Sequence, residues 1–287
     1  MSSYTIFTDS GSDLTPAQMN EWNVKYCSLT LRFDGDEKEY DNYDLVGKSF
    51  YDRIREGGVA HTAAVNIYTF EEAFKAELEA GQDILYIGFD SGISTTSNSG
   101  IAAAKELSEK YPERKIIAID SLCASASQAL LVKMTCDLRD SGASLEECGD
   151  FVRDMAPKMA LWFTVEDLIY LKRGGRISSG AYFAASLLDI KPVMHVDDEG
   201  KLISMGKVRG RKKSIQSLID KYEEDAIDLA GPCAVFHGDC PADAEFAAKQ
   251  LKEKFNADVR LIGEVGAVIG SHTGPGIMIV CYPGKKR

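Results

Sequence analysis

From Tyr4 to Thr8 the chain alternates apolar and polar positions, a period of two that predicts a strand. Thr15-Pro16 follows as a cap and a first-turn proline, which opens a short helix. Lys25 to Phe33 reads as a second strand, and an acidic loop, Asp34 to Asp44, comes after it. Thr69-Phe-Glu-Glu72 and Ser144-Leu-Glu-Glu147 have the spacing of capping boxes, in which a hydroxyl and a glutamate each take an orphan amide of a new helix. Asp83 to Phe89 and Lys115 to Ile119 are short apolar-rich runs of buried-strand type. Each is followed by Asp-Ser (Asp90-Ser91 and Asp120-Ser121) and then by a helical pattern. This alternation predicts a mainly parallel sheet with flanking helices.

The second half reads differently. Pro192 to Val196, the turn Asp197 to Gly200 and Lys201 to Val208 predict a β-hairpin, and a helix follows from Arg211 to Asp225. Cys233 to His237, Asp258 to Ile262 and Gly276 to Tyr282 read as strands, and Asp243 to Phe255 as a helix. A hairpin within a strand-helix alternation implies a mixed sheet. The fresh apolar run after Pro157 to Leu161 marks the boundary. The expectation is an α/β fold of two domains, an N-terminal mainly parallel sheet with flanking helices over residues 1–158 and a C-terminal mixed α/β domain over 159–287, with a ligand cleft between them.

Composition narrows the class. With 45% hydrophobic residues in 287, the chain is of globular type, and no run approaches the roughly 18 apolar residues of a membrane span. Met1 to Asp13 has no basic segment leading into an apolar run, so a cytoplasmic location is expected. Seven scattered cysteines without a Cys-x-x-Cys pair read as reduced core thiols rather than metal ligands. The net charge of -11 argues against nucleic-acid binding, yet Lys172 to Lys213 holds ten basic residues against four acidic ones. This basic island reads as an anion site, a dock for an acidic or phosphate-bearing partner, or a solvated surface.

Open α/β sheets bind ligands at the carboxyl ends of their strands, where helix N-termini gather. Thr8 to Ser12 and Ser91 to Ser99 fall at such ends. Their hydroxyls are candidates to hold an anion, although Ser10, Ser94 and Thr62 read equally as caps. No dinucleotide, P-loop or nucleophile-elbow spacing is present, and no cofactor is expected. Ser94, His272 and Asp9 or Asp90 supply the residue types of a hydrolytic triad, which keeps a serine-type or phosphate-handling enzyme as the alternative. In Lys172-Arg173-Gly174-Gly175-Arg176 the paired glycines allow a tight turn that brings two guanidinium groups together, suited to a carboxylate or phosphate. Near the C-terminus, Gly270-Ser271-His272-Thr273-Gly274-Pro275-Gly276 reads as a glycine-rich loop that frees one edge of an imidazole for a ligand.

Four of these stretches, Thr8 to Leu14, Asp90 to Ser99, Asp167 to Ser178 and Gly270 to Gly276, together and in this order, resemble the DegV family over nearly the entire chain. The resemblance implies a two-domain α/β protein that binds one long-chain fatty acid between its domains without catalysis of its own. It further implies presentation of the carboxylate to a separate ATP-binding fatty acid kinase subunit for conversion to acyl phosphate. On the family's pattern, Thr62 and Ser94 hold the carboxyl group, and His272, Arg173 and Arg209 lie in the matching neighbourhoods. Within the basic island, Arg211, Lys212 and Lys213 gather at a helix start, where cations are unfavourable, and are candidates for docking the kinase partner. Ala63 stands where the family has serine, Val65 where it has proline, and Thr95 where it has glycine beside Ser94, which predicts a narrower or differently selective head-group pocket.

Overall fold

The computed structural model describes residues 4–177 and 189–287. Among these the strands form three sheets. The first is wholly parallel, in the order β2 (Val24–Cys27), β1 (Tyr4–Asp9), β6 (Asp83–Phe89), β7 (Ile116–Cys123). Every residue of β6 is buried, the signature of a central strand covered on both faces by helices. A small antiparallel sheet joins β4 (Tyr40–Asp41), β3 (Thr30–Phe33) and β5 (Ala60–Ala63). The third runs β10 (Leu202–Arg209), β9 (Ile190–Val196), β8 (Met159–Thr164), β13 (Met278–Pro283), β11 (Pro232–His237), β12 (Asp258–Glu264). Its only parallel pair among the described strands is β11 with β12, so the mixed sheet is as expected.

The box at Ser144 and the cap at Thr15 form as predicted, each cap hydroxyl accepting from the third amide; at Thr15 Gln18 also reaches back, which completes a box where only a cap was expected. The Thr69 box does not. That helix starts at Ile67, one turn's edge earlier, because Asn66 takes the cap position and accepts from the Thr69 amide at 2.9 Å. Lys25 to Phe33 is likewise not one strand. The Leu29 amide donates to Ser10 Oγ at 2.9 Å, and this long-range bond breaks the run so that its halves enter different sheets. Ser10 is thereby structural. The acidic loop contains β4, and a helix, Gly47–Arg55, and β5 lie beyond it where no element was predicted.

Helix Ala126–Asp140 explains how the two larger sheets share a core. Nine of its residues are buried, more than an amphipathic stripe would cover, because it is packed between sheets. One apolar cluster accordingly joins Ile6 and Leu85 of the parallel sheet to Phe163, Phe236 and Ile279 of the mixed sheet.

Three of the buried carboxyls in this framework, Asp9, Asp13 and Asp90, are pushed toward neutrality. Asp9 accepts from Tyr86 Oη at 2.8 Å, the Phe89 amide at 2.9 Å and the Gly11 amide at 3.0 Å. Asp13 accepts from Ser125 Oγ at 2.6 Å and the Gly266 amide at 2.9 Å. Burial pushes Asp9 up to about 6, and Asp13 and Asp90 each to about 7, partly against these donors. The folded state therefore holds protons that the unfolded chain has released, and stability falls as the pH rises through 6 to 7. Thermal unfolding should show a lower midpoint near pH 8 than near pH 6, with Asp13→Asn flattening part of that slope; an unchanged slope in the variant would show that Asp13 ionises freely.

Candidate functional site

The end of β5 delivers Thr62, which pairs in register with Leu31. The turn after β6 delivers Ser94: Asp90 Oδ1 accepts the Gly92 amide at 2.7 Å, and the Asp90 carbonyl accepts the Ser94 amide at 3.1 Å. Ser94 Oγ lies 3.0 Å from Thr96 Oγ1, which in turn accepts the Val65 amide at 3.4 Å, so a hydroxyl chain links the two arms.

His272 sits on a helix, not in the loop the glycines suggested. Helix Ala267–Thr273 forms because its first amides find side-chain acceptors far away in sequence, Gly266 on Asp13 and Val268 on Asn42 Oδ1 at 2.9 Å. Its last turn brings His272 Nε2 within 2.8 Å of Thr62 Oγ1. Nδ1 is buried without a hydrogen-bond partner and faces Gly174, whose lack of a side chain lets the imidazole approach; a Cβ there would collide with the ring. Burial first, then the nearby Arg176 and His61, lower the imidazole to about 4, so it is neutral at physiological pH.

Thr62, Ser94 and His272 share the wall of a cavity of about 460 Å³ between the parallel and mixed sheets, within the range of small-molecule sites. Its wall is otherwise largely apolar: Leu29, Phe89 and Ala124 on one side, Leu161, Phe163, Val196 and Ile279 on the other, with Val268 and Ile269 from the His272 helix. Thr95, in the glycine position of the resemblance, also stands on this wall. The hydroxyl of Ser125, a further wall residue, is turned onto Asp13. A second recess of about 360 Å³ shares Thr62, Arg176 and His272 with the first and is lined also by His61, Tyr170, Arg173 and Ser271. The polar cluster thus stands between an apolar chamber and a basic recess.

The guanidinium on the apolar chamber's wall is that of Arg176, which the sequence marks only as part of the Gly-Gly loop. Its Nε donates to the Ile93 carbonyl at 3.1 Å, directly before Ser94, and burial lowers its pKa. Arg173 lines the second recess and not the chamber, with Tyr170 beside its guanidinium. Both arginines line the second recess, and nothing in their spacing distinguishes which one also reaches the chamber. The final residue of the Asp167–Ser178 stretch lies outside the described residues.

Two expectations need correction. Arg209 is exposed at the far end of β10, paired with Ile190, and reaches neither cavity; the hairpin enters the wall through Val196 and Leu202 at its other end. Arg211 is not a free docking cation. Its Nε bonds Asp243 Oδ2 at 2.8 Å and its Nη1 lies 3.3 Å from Glu166 Oε1, which pin it between a helix start and the end of β8. Lys212 and Lys213 are exposed. The triad of the enzyme alternative is not assembled: Ser94 Oγ bonds Thr96, His272 bonds Thr62, Asp9 bonds Tyr86 and Gln128, and Asp90 Oδ1 bonds Gly92.

An apolar chamber thus lies between two α/β layers, with one cluster of neutral and cationic donors at its edge. The model of the DegV family, described as uncharacterised proteins, matches residues 3–284, and the chain belongs to that family. It is 39% identical over 290 aligned positions to a DegV domain-containing protein of Clostridium perfringens, covering 100% of this chain and 99% of that one. Among solved structures it is similar to a DegV family protein of Thermus thermophilus described by its fatty acid binding, with TM-score 0.87, 26% identity and coverage of 98% and 99% of the two chains. A stearic acid-binding protein of Eubacterium ventriosum aligns with TM-score 0.85 and 25% identity, covering 98% of each chain.

Gly174→Ala tests the contact that seats His272. The added methyl should displace the imidazole from Thr62, with a loss of about 1 to 3 kcal/mol in stability from overpacking. Histidine NMR shifts report it: the His272 resonance should titrate closer to the free value near 6.5 in the variant, and an unmoved titration would mean that the ring does not depend on Gly174.

Proposed function

We propose that this protein binds one long-chain fatty acid, with the acyl tail in the 460 Å³ chamber and the carboxylate on Thr62 and Ser94. The observation that carries this reading is the neutral His272–Thr62 pair at the edge of an otherwise apolar cavity. With the proton on Nε2, the imidazole donates to Thr62 Oγ1, and the threonine hydroxyl hydrogen is left free to meet a carboxylate. Ser94 supplies a second hydroxyl, and Arg176 compensates the buried charge. Arg173, in the recess behind, is placed to gate the head group. The neighbours described as fatty-acid-binding support the ligand class. From the basic recess the carboxylate is within reach of a separate ATP-dependent kinase subunit, and on this reading the protein is a carrier rather than a catalyst.

Burying a tail of about 14 methylenes at roughly 0.8 kcal/mol each contributes on the order of 11 kcal/mol before association entropy is subtracted. The ligand should therefore survive purification, and organic extraction with mass spectrometry should return about one fatty acid per chain; extracts repeatedly free of acyl lipid would overturn the reading. A hydrogen bond to a carboxylate is worth about 1.5 to 3 kcal/mol, so Thr62→Ala or Ser94→Ala should weaken binding roughly ten- to a hundredfold without abolishing it. Equal affinity of the wild type for a fatty acid and its methyl ester would mean that the hydroxyls are only caps.

For the kinase partner, the exposed Lys212 and Lys213 remain candidates once Arg211 is set aside. Reversing both charges should keep fatty acid affinity within about threefold while slowing partner-dependent acyl phosphate formation, more at low salt than at high. Phosphorylation at the wild-type rate would leave these lysines as solvated surface.

A further inference from the structure

The hairpin β9–β10 and the turn that carries Ser94 meet at a carboxyl outside the head-group cluster. Asp90 is fully buried. Its Oδ1 and its carbonyl shape the turn through Gly92 and Ser94, but its Oδ2 is buried without a partner. Against it packs Gly200, at the hairpin tip, with φ +77°; a Cβ there would collide with Oδ1. Gly92 packs on the same tip, where a Cβ would lie 2.6 Å from the Glu199 carbonyl oxygen. The tip itself is stiff, because the Asp197 carboxylate accepts the Glu199 and Lys201 amides at 2.9 Å each. Its two flanks, Val196 and Leu202, are chamber wall.

We propose that Asp90 is a positioning residue that couples the hairpin tip to the Ser94 turn through its neutral carboxyl, and that its ionisation releases the tip and lets a bound acyl chain leave faster. Glycine backbone packs where water would have to enter, so an ionised Oδ2 has no donor, and a buried unpaired charge is costly. The charged groups that face it oppose one another, so burial rather than their balance keeps the carboxyl neutral. Asp197 of the tip and Asp120 at the end of β7 repel a carboxylate, while Arg287 attracts it from the C-terminal segment. Arg287 spends its Nη2 on the Leu122 and Ser121 carbonyls, and the exposed Lys201 and Glu199 pair with each other. Burial first, with these neighbours, sets the group at about 7. A pKa raised in the closed form means closure is complete below that pH and weakens above it, by at most tenfold per pH unit for one proton.

The cargo rests on the fatty-acid reading; the contact does not. Release of a fluorescent palmitate analogue, followed by stopped flow, should speed up about tenfold between about pH 6 and pH 8.5 in the wild type and by less than about twofold in Asp90→Asn. Asp13→Asn removes another buried carboxyl set at about 7; whatever it does to the absolute release rate by loosening the His272 helix, the ratio of rates between about pH 6 and pH 8.5 should stay as in the wild type. The ligand carboxyl, near 4 to 5 as for other carboxylic acids, titrates below this window, and so does His272, at about 4. A wild type without pH dependence, or an Asp90→Asn variant that retains it, overturns the proposal. Should Asp90→Asn fail to fold, Gly200→Ala decides: its methyl should make release fast already at pH 6, and unaltered release there counts against the latch. Hydrogen exchange of the Val196–Leu202 amides, wild type against Asp90→Asn at equal pH, needs no lipid. If the analogue does not bind at all, the fatty-acid reading fails, and this exchange ratio alone judges the latch: extra opening in the wild type above pH 7 supports it and equal protection overturns it.

Discussion

One buried carboxyl holds the site together at a distance. Asp13, at φ +55°, accepts from the Ser125 hydroxyl, which starts the helix packed between the two large sheets, and from the Gly266 amide, which starts the helix that carries His272. A single side chain from the first strand's exit thus fixes the inter-sheet helix and the imidazole helix relative to each other. Ser125 itself, at φ +50°, is held in a backbone conformation that a serine rarely adopts without such partners. The cost is a carboxyl that burial drives toward neutrality, and the neighbouring Asp9 is held in the same way.

The chamber follows from that arrangement. The sheets meet through an apolar helix, and where the helix does not fill the gap a cavity remains, walled by strand residues from both layers. In a wall of this kind a charged imidazole would be costly, and the imidazole is accordingly neutral. Neutrality makes the His272–Thr62 pair useful, because it directs a hydroxyl hydrogen outward instead of adding a fixed charge. The positive charge comes instead from Arg176, delivered by a loop whose glycines leave room for the ring.

Much of this architecture is legible in the amino-acid sequence. Period-two and capping patterns locate the parallel strands, the hairpin and the helices started by Thr15 and Ser144, since those signals are local. The errors arise where a distant partner intervenes. Asn66 displaces Thr69 as a cap, and Ser10 breaks a continuous apolar run by taking the Leu29 amide. The helix at Gly47–Arg55 carries no side-chain cap, so its start has no signature.

The same division runs through the site. Ser94 and His272 can be singled out from the sequence because each lies in a motif of small polar residues and glycines, and local chemistry suffices to mark such motifs; Thr62, followed by Ala63 and Ala64, is marked only by the resemblance to the family. Which arginine faces the chamber, whether Arg209 reaches it and whether Arg211 is free are decided only in three dimensions. A cation's role depends on the carboxylates that fold against it, and Asp243 and Glu166 claim Arg211 from outside its own strand and helix. The sequence by itself determined the layers, the elements and the identity of the small polar motifs. Tertiary packing decided their electrostatics, since burial and the pairing of charges are properties of neighbours that the chain brings together only when folded.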